Sequence, residues 1–310
     1  MLTGKLMTTF HSAIVYIRLV AQGFAIGTAG LIPGVSGGTL ALLLGLYEDL
    51  VEAIRQASDP QTFKAFFQRQ WAVFIDRLSW QLLVPVGLGS LLAVITMSHL
   101  MEWLLETYTL QVEAFFFGLV AASVIVVGRK VQRWDARVAL GLILGTAVGW
   151  LLMDLTPAET PNTLWMLFLS GAVAKCAMVL PGISGAFVLI VLGQYQYALS
   201  AVTQRDLISI GVILLGTAAG LVTFAQILSW LFKRQRDLTL AALGGLIIAS
   251  LRKLWPWQVS VAGATDALVR QVNVLPGAWT PEVTAAVVMA LVGFLLVIFL
   301  GTLQNSDVTI

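Results

Sequence analysis

Charged residues are scarce in this chain: only 11% of its 310 residues are Asp, Glu, Lys or Arg. A soluble domain carries about 25% charged residues, so the composition excludes a soluble fold. The formal net charge is only +2, which gives no support for a nucleic-acid partner. Hydrophobic residues make up 58% of the chain, and the mean hydropathy is +0.90. The sequence therefore predicts an all-α integral membrane protein, because helices satisfy their own backbone hydrogen bonds in lipid.

Cysteine and histidine are nearly absent as well. The single cysteine, Cys176, cannot form a disulfide within the chain, and its apolar surroundings indicate a small buried hydrophobe. The two histidines, His11 and His99, are far apart, and neither has neighbours at metal-ligand spacing. We therefore expect neither a metal nor a cofactor, with a proton as the coupling ion to be considered.

One short motif occurs twice. The first copy is PGVSGGT at 33–39 and the second is PGISGAF at 181–187, 148 residues later. A glycine and a tyrosine follow each copy at the same distance, in LGLY and LGQY. Agreement at so many spaced positions indicates an internal repeat.

The hydrophobic pattern predicts ten membrane helices or half-helices, five in each half of the chain. Their predicted ranges are 10–30, 32–50, 80–106, 112–128, 138–153, 163–179, 182–200, 207–231, 238–251 and 283–302. The chain is then one membrane domain, 1–310, with a first repeat at 1–157 and a second at 158–310. An odd number of elements inverts the second repeat relative to the first, as in many secondary transporters. The first two elements of each half form a hairpin that turns at the Pro-Gly-x-Ser-Gly motif, and we expect these hairpins to be re-entrant.

Lysine and arginine in short loops predict the orientation. The basic stretches 129–137 and 233–236 fall on one side in this scheme, and that side is expected to be cytoplasmic, together with the N-terminus. Arg252 and Lys253 then fall on the outer side, against the rule. Either the number of elements differs there or these cations have a function. The tryptophan-containing stretch 254–281 is predicted to be an interfacial loop.

The repeated motif combines residue types that suit an anion. Proline starts a helix without losing a useful N–H, glycine lets other groups approach the backbone, and the hydroxyl groups donate hydrogen bonds. The helix that follows points its free N–H groups back at the turn. The alternative is that these small residues only allow tight helix packing. The candidate anion-binding positions are Pro33, Gly34, Ser36, Gly37, Gly38, Thr39, Pro181, Gly182, Ser184 and Gly185.

Three cations and two acids complete the candidate site. Lys175 lies a little under two helical turns before the second motif, where a lysine in lipid costs about 2.5–3.5 kcal/mol unless it faces a cavity or a partner. Arg18 lies about four turns before the first motif, and Arg252 follows the ninth element. Snorkelling to the interface is the competing explanation for Lys175 and Arg18. Glu113 and Glu48 are the candidate proton-coupling residues, Glu113 because it lies in apolar company.

Several segments together resemble a known family. In order along the chain they are PGVSGGT, LGLYEDL, AFFFGLVAAS, TPAETP, AMVLPGISGAFVLIVLGQY and SLRKLWPW. They resemble the PopT-type polyprenyl-phosphate translocases of bacteria and archaea over about residues 15–258. The resemblance implies a transporter, not an enzyme, that flips undecaprenyl phosphate or a similar lipid from the outer to the inner leaflet of the bacterial cytoplasmic membrane. It also implies that the motif positions bind the phosphate and that the lipid carrier is recycled for peptidoglycan synthesis.

Three positions depart from the family pattern. Gly30 stands where relatives often have Asp or Asn, Ala186 stands where they have serine, and Lys175 stands where they have an apolar residue. The first departure removes an acid that would have been a proton-coupling candidate. The third adds a positive charge close to the second motif.

Two other functions fit the same residues. A channel or exchanger for small inorganic anions would use the helix ends without an opening for a lipid tail. A membrane phosphatase would need a nucleophile beside a base, and neither histidine is near a motif. The sequence leaves open the coupling ion, the direction of transport and the oligomeric state, for which a homodimer is one option.

Overall fold

A computed structural model describes residues 2–32, 35–158, 160–262 and 269–306. Within these ranges the chain forms thirteen α-helices and one two-stranded antiparallel sheet. In chain order the elements are α1 (Leu2–Gly30), α2 (Gly37–Leu43), α3 (Tyr47–Ala57), α4 (Pro60–Phe67), α5 (Trp71–Arg77), α6 (Trp80–Thr107), α7 (Thr109–Arg129), α8 (Ala136–Met153), α9 (Leu164–Val179), α10 (Gly185–Val191), α11 (Tyr195–Thr203), α12 (Leu207–Ser250), β1 (Gln258–Ala262), β2 (Val269–Asn273) and α13 (Pro281–Ser306).

Several of these helices can cross a membrane. A crossing takes about 20 apolar residues, and in the part of the chain that the structure describes α6, α7, α8, α12 and α13 meet this requirement by length and composition. Helices α10 and α11 pass the same test together, as a pair bent by 109°. Helix α9 and residues 14–30 of α1 are apolar but shorter. The chain is therefore a multi-pass helical membrane protein, as the composition predicted.

The predicted elements 32–50 and 182–200 are each two short helices rather than one. Helix α2 is separated from α3 by residues 44–46, and α10 is separated from α11 by residues 192–194. In the middle of these breaks Gly45 has φ +77° and Gly193 has φ +67°, a backbone conformation that favours glycine. Each break follows a seven-residue helix, and we call residues 44–46 and 192–194 the two elbows; at the second the chain bends by 109°.

Helix α12 is kinked inside the basic segment 233–236, at the break that the sequence predicted between the eighth and ninth elements, but no longer loop separates the two arms. Helix α12 runs from Leu207 to Ser250, and Gln235 has non-helical angles, φ −147° and ψ 61°. The predicted eighth and ninth elements are therefore the two arms of one kinked helix. The first arm, before the kink, has the length of a full membrane crossing, so the kink and its cations can lie at a membrane surface.

The stretch 254–281 contains a β-hairpin in place of the loop that was predicted. Strands β1 and β2 pair antiparallel, with Gln258 opposite Asn273. Beside the sheet, the indole N–H of Trp255 donates to the carbonyl of Val274 at 2.9 Å. The rings of Trp255 and Trp257 meet edge to face with centroids 5.4 Å apart. The all-α class holds for the membrane helices, and the hairpin is an addition to it.

The chain divides into two compact units, each of which draws on both halves of the sequence. The first unit comprises Met1–Ser98 and Leu155–Thr239, and the second comprises His99–Asp154 and Leu240–Ile310. This division combines segments of the two predicted repeats within each unit.

Backbone contacts at glycine join the helices inside the first unit. A Cβ at Gly89 of α6 would lie 2.0 Å from the carbonyl oxygen of Val20 in α1. In the other half of the sequence, a Cβ at Gly216 of α12 would lie 2.1 Å from the carbonyl oxygen of Phe168 in α9. Such contact requires small residues. The helix pairs α1–α6 and α9–α12 thus pack by the same device in the two halves.

Candidate functional site

The two motif hairpins meet within the first compact unit. Helix α1 packs against α2, and α9 packs against α10. A Cβ at Gly38 would lie 2.9 Å from the carbonyl oxygen of Val179 and 3.7 Å from the nitrogen of Pro181. The first turn of α2 therefore touches the chain as it enters the second motif, at a distance that a glycine permits. The two motif copies, which are remote in sequence, are therefore in direct contact in the fold.

Tyr47 ties the two copies together beside this contact. Its side chain is 4% exposed, and its hydroxyl donates a hydrogen bond of 3.0 Å to the carbonyl of Val179. Its ring meets the edge of Phe232 in α12, with centroids 6.0 Å apart. Tyr195 occupies the equivalent place in the second copy and has no such bond among the described residues. The junction is therefore asymmetric, although the two motifs are similar in sequence.

The hydroxyl groups of the two motifs have different surroundings. Ser36 caps α2, and its Oγ accepts from the backbone N–H of Gly38 at 3.2 Å. Ser184 precedes α10 in the same way but makes no capping bond with its side chain. Thr39 is 1% exposed, and its Oγ1 has no partner among the described residues. A buried hydroxyl without a partner is costly, so Thr39 is available to bond a group that enters the site.

Lys175 is held close to the second motif. A Cβ at Gly185 would lie 3.1 Å from the carbonyl oxygen of Ala174, so α10 starts directly against α9. The sulfur of Met178 lies 3.7 Å from that Cβ position and 3.9 Å from Nζ of Lys175. No carboxylate pairs with this ammonium within the described ranges. The Met178 side chain therefore lies between the Lys175 ammonium and the start of α10, and the lysine is close to the second motif.

The first three residues of the second motif are buried, and the chain turns there at a glycine. Pro181 is among the fully buried residues, and Gly182 has φ +84°. Helices α2 and α10 are only seven residues long, so few peptide dipoles align in each of them. Hydroxyl and backbone N–H groups, rather than a long-helix dipole, are what these turns offer to an anion.

Two predicted positions, Pro33 and Gly34, lie outside the described residues. Two others have their contacts elsewhere or lie at a distance. Gly37 packs on Ile26 of α1, with contacts of 3.3 Å from its Cβ position. Arg18 is exposed on α1, about 18 Å along the helix axis from its end, farther than its side chain reaches. Its part in the site stays a prediction.

Arg252 and Glu113 belong to the second unit. The guanidinium of Arg252 pairs with Asp154 at 2.8 Å and lies over the ring of Trp150 at 4.5 Å. Its Nη1 is buried and has no partner within the described part of the chain. Glu113 is half-buried in α7, and no described residue bonds to it. Their predicted roles in binding and in proton coupling stay predictions.

Glu48 forms an ion pair that the sequence did not predict. Its carboxylate receives both Nε, at 3.0 Å, and Nη2, at 2.7 Å, of Arg236 in α12. This fork-to-fork geometry is the strong form of a carboxylate–arginine contact. The proton-coupling candidate of the first hairpin is thus paired with a cation at the kink of α12.

Glu52, one turn further along α3, has four side-chain partners. Arg55 lies 2.7 Å, Lys233 2.9 Å, the Ser229 hydroxyl 2.6 Å and the Gln56 amide nitrogen 3.2 Å from its carboxylate oxygens. The hydrogen bond from Arg55, with those from Ser229 and Lys233, holds the pKa of Glu52 well below its usual range, against the effect of burial. Sequence reasoning missed Glu52. The available signal was that Glu48 and Glu52 are four residues apart, on one face of a helix, and that the chain has a basic segment at 233–236 that could pair with them.

A strap from the segment between the two halves crosses the elbow of the second hairpin. The buried amide of Gln194 donates to Thr160 Oγ1 at 2.8 Å and to the carbonyl of Pro161 at 3.3 Å. The N–H of Ala158 donates to Val191 at 2.8 Å, and the Thr160 hydroxyl donates to the carbonyl of the residue before the elbow glycine. The elbow is thus held by side chains that no sequence motif marked.

Comparisons with known proteins agree with one another. The profile of the family described as undecaprenyl phosphate translocase-like matches residues 26–272. A protein of Vibrio cholerae serotype O1 named polyprenyl-phosphate transporter is 35% identical over 260 residues, which cover 84% of each chain. A Staphylococcus aureus protein with the same name is 30% identical over 255 residues, or 76% of this chain and 85% of the other. No solved structure matches the chain.

Proposed function

The chain belongs to the undecaprenyl phosphate translocase-like family, and from this premise we propose that it moves undecaprenyl phosphate, or a similar polyprenyl phosphate, across the bacterial cytoplasmic membrane. Transport runs from the outer to the inner leaflet and returns the carrier lipid to cell-envelope synthesis. The names of the relatives describe transporters, and this chain acts as a transporter and not as an enzyme.

The contact between the two motif copies is the observation that carries the proposal. Gly38 of the first copy touches the backbone at Val179, two residues before the second. A phosphate monoester at this junction meets the unpaired hydroxyl of Thr39 and the Ser184 side chain, with the Lys175 ammonium nearby. These groups replace part of the hydration that the phosphate loses, which is what a charged group needs inside a membrane.

An inverted repeat is the architecture we propose for this transport. The seven-residue helices α2 and α10, the elbow glycines with positive φ, and the matching α1–α6 and α9–α12 contacts support two equivalent halves. The 109° bend between α10 and α11 supports a re-entrant hairpin. Rocking of such halves about a shared site gives alternating exposure to the two leaflets. The basic segments near 129–137 and 233–236 support a cytoplasmic N-terminus.

A proton is the coupling ion we propose. A phosphate monoester dianion takes up one proton with a pKa of about 6, and a proton bound to it or to a nearby carboxylate reduces the charge that must cross the membrane. Glu48 and Glu113 are the carboxylates proposed for this role. Glu113 is half-buried in a membrane-spanning helix, where acids usually have a function.

Reconstitution tests the substrate directly. Proteoliposomes would contain labelled undecaprenyl phosphate in both leaflets, and an external phosphatase that cannot cross the bilayer would be added, with and without a proton gradient. We expect the protein to raise the hydrolysed fraction from about half, the outer-leaflet share, towards all of the lipid. A fraction that stays at half while chloride or inorganic phosphate leaks from the vesicles would show a small-anion channel instead. Release of phosphate without the added enzyme would show a phosphatase.

A further inference from the structure

Two carboxylates of the first hairpin form ion pairs with cations of α12. Glu48 takes the guanidinium fork of Arg236, and Glu52 takes Lys233 together with the Ser229 hydroxyl. The two carboxylates are one turn apart on α3, and the two cations stand on either side of the kink at Gln235. One face of α3 is thus fastened to one short stretch of α12.

The donors in this stretch suit a phosphate as well as a carboxylate. An arginine fork binds two oxygens of either group, and lysine binds phosphate as a point charge. The side chains of Arg236 and Lys233 are 39% and 61% exposed, so a ligand can reach both cations from outside the fold. Ser229, which is 3% exposed, adds a hydroxyl donor from a buried position on the same helix.

The arrangement is found in one hairpin only. The positions that correspond to Glu48 and Glu52 in the second copy, 148 residues later, are Gln196 and Ser200. Neither can form an ion pair with a cation. The two ion pairs therefore lie on one side of the molecule, the side that the positive-inside rule assigns to the cytoplasm because of the basic segment.

We propose that Arg236, Lys233 and Ser229 form a second phosphate-binding site at the cytoplasmic end of the path, which Glu48 and Glu52 occupy in the absence of lipid. This inference rests on the proposed function. The phosphate leaving the motif junction displaces the two carboxylates and frees α3, and the carboxylates return when the lipid departs. A phosphate offers Arg236 and Lys233 the same kind of charge-assisted hydrogen bonds as the carboxylates do, so phosphate and carboxylate can replace each other in each cycle.

Binding of farnesyl phosphate to the purified protein in detergent tests this site, with farnesol and inorganic phosphate as comparison ligands. Glu48→Gln keeps the shape of the side chain and removes its charge, so we expect about three- to tenfold tighter binding of farnesyl phosphate. Adding Arg236→Gln to that variant should abolish the gain. Arg234→Gln is the matched control, because Arg234 lies over the Trp230 ring and has no carboxylate partner among the described residues; its affinity should equal that of the wild type.

The outcomes separate this inference from the proposed function. If the wild type prefers farnesyl phosphate to farnesol but Glu48→Gln leaves the affinity unchanged or weaker, the second site is wrong and the proposed function stands. If no variant distinguishes farnesyl phosphate from farnesol, both fail. Tighter binding of inorganic phosphate alone in Glu48→Gln would show a site for the free anion and would overturn the lipid assignment. A loss of thermal stability in Glu48→Gln without a gain in affinity would show a purely structural ion pair.

Discussion

The hydroxyl of Tyr47 donates a hydrogen bond of 3.0 Å to the carbonyl oxygen of Val179, 132 residues further along the chain. The bond joins the first residue of α3, which follows the first motif, to the last residue of α9, two positions before the second motif. Together with the contact at Gly38 it makes the two hairpins one structural element. A displacement of one hairpin therefore displaces the other.

Tyr47→Phe removes this bond and keeps the ring against Phe232. The carbonyl of Val179 loses its partner, and we expect a loss of about 1–3 kcal/mol in the free energy of unfolding, measured by denaturation in detergent micelles. Tyr195→Phe is the matched control and should be neutral, since no described residue bonds to that hydroxyl. Equal stability of the two variants would contradict a structural role for the Tyr47 bond.

Gly193→Ala tests the elbow of the second hairpin. The glycine has φ +67°, and a Cβ there would lie 2.2 Å from the carbonyl oxygen of Ala158, so the strap must move. The backbone conformation alone costs about 1–2 kcal/mol for an L residue. We expect a lower yield of folded protein and a lower melting temperature. Gly211→Ala, a helical position with nothing within 4 Å of its Cβ, should be as stable as the wild type or more so; destabilisation of both variants alike would contradict the account.

Lys175→Met tests whether the lysine acts on the substrate or only snorkels. If the ammonium attracts the phosphate, the lipid concentration for half-maximal transport should rise about tenfold, which corresponds to about 1.4 kcal/mol of binding free energy. Stability should be unchanged or higher, because a charge leaves an apolar helix. Lys175→Arg should keep most of the activity. Transport by Lys175→Met at the wild-type concentration dependence would favour snorkelling.

The pH dependence of stability should reveal the pairing of Glu52. Its pKa is lowered by Arg55 first, and then by Ser229, Lys233 and Gln56, from an ordinary value of 4.5. A lowered pKa in the folded state means that the stabilisation is complete above about pH 4.5 and is lost as the pH falls below it. The difference in stability between wild type and Glu52→Gln should therefore be constant from pH 8 to 5 and shrink below 4.5. A difference that fades between pH 8 and 6 would contradict this pairing.

The sequence was sufficient to predict the parts of this fold that follow from local pattern. Apolar runs marked the membrane helices, and the repeated motif marked two hairpins. Lys175 could be singled out because a lysine is costly in an apolar helix. These inferences depend on composition and spacing within one segment, which the chain displays directly.

Other features depend on partners that sequence order does not reveal. The pair of Glu48 with Arg236 joins residues 188 positions apart, and a single sequence gives no sign of which cation an acid will meet. The β-hairpin after α12 was missed because its tryptophans suggested a membrane interface. The predicted division between the eighth and ninth elements falls at the kink of α12, but the arms follow each other without a longer loop, because lysine and arginine are good helix formers.

The central claim is that the two motif copies form one phosphate site, and Gly38→Ala tests it most directly. A Cβ at this position presses on the carbonyl of Val179 at 2.9 Å and forces the hairpins apart, whereas Gly87→Ala in α6 meets nothing within 4 Å. Lipid accessibility would be measured for both variants in proteoliposomes, at equal amounts of folded protein. We predict that Gly38→Ala slows translocation of undecaprenyl phosphate at least tenfold, since small displacements in a site are costly, and that Gly87→Ala transports as the wild type does. Full transport by Gly38→Ala would contradict a site made by both copies.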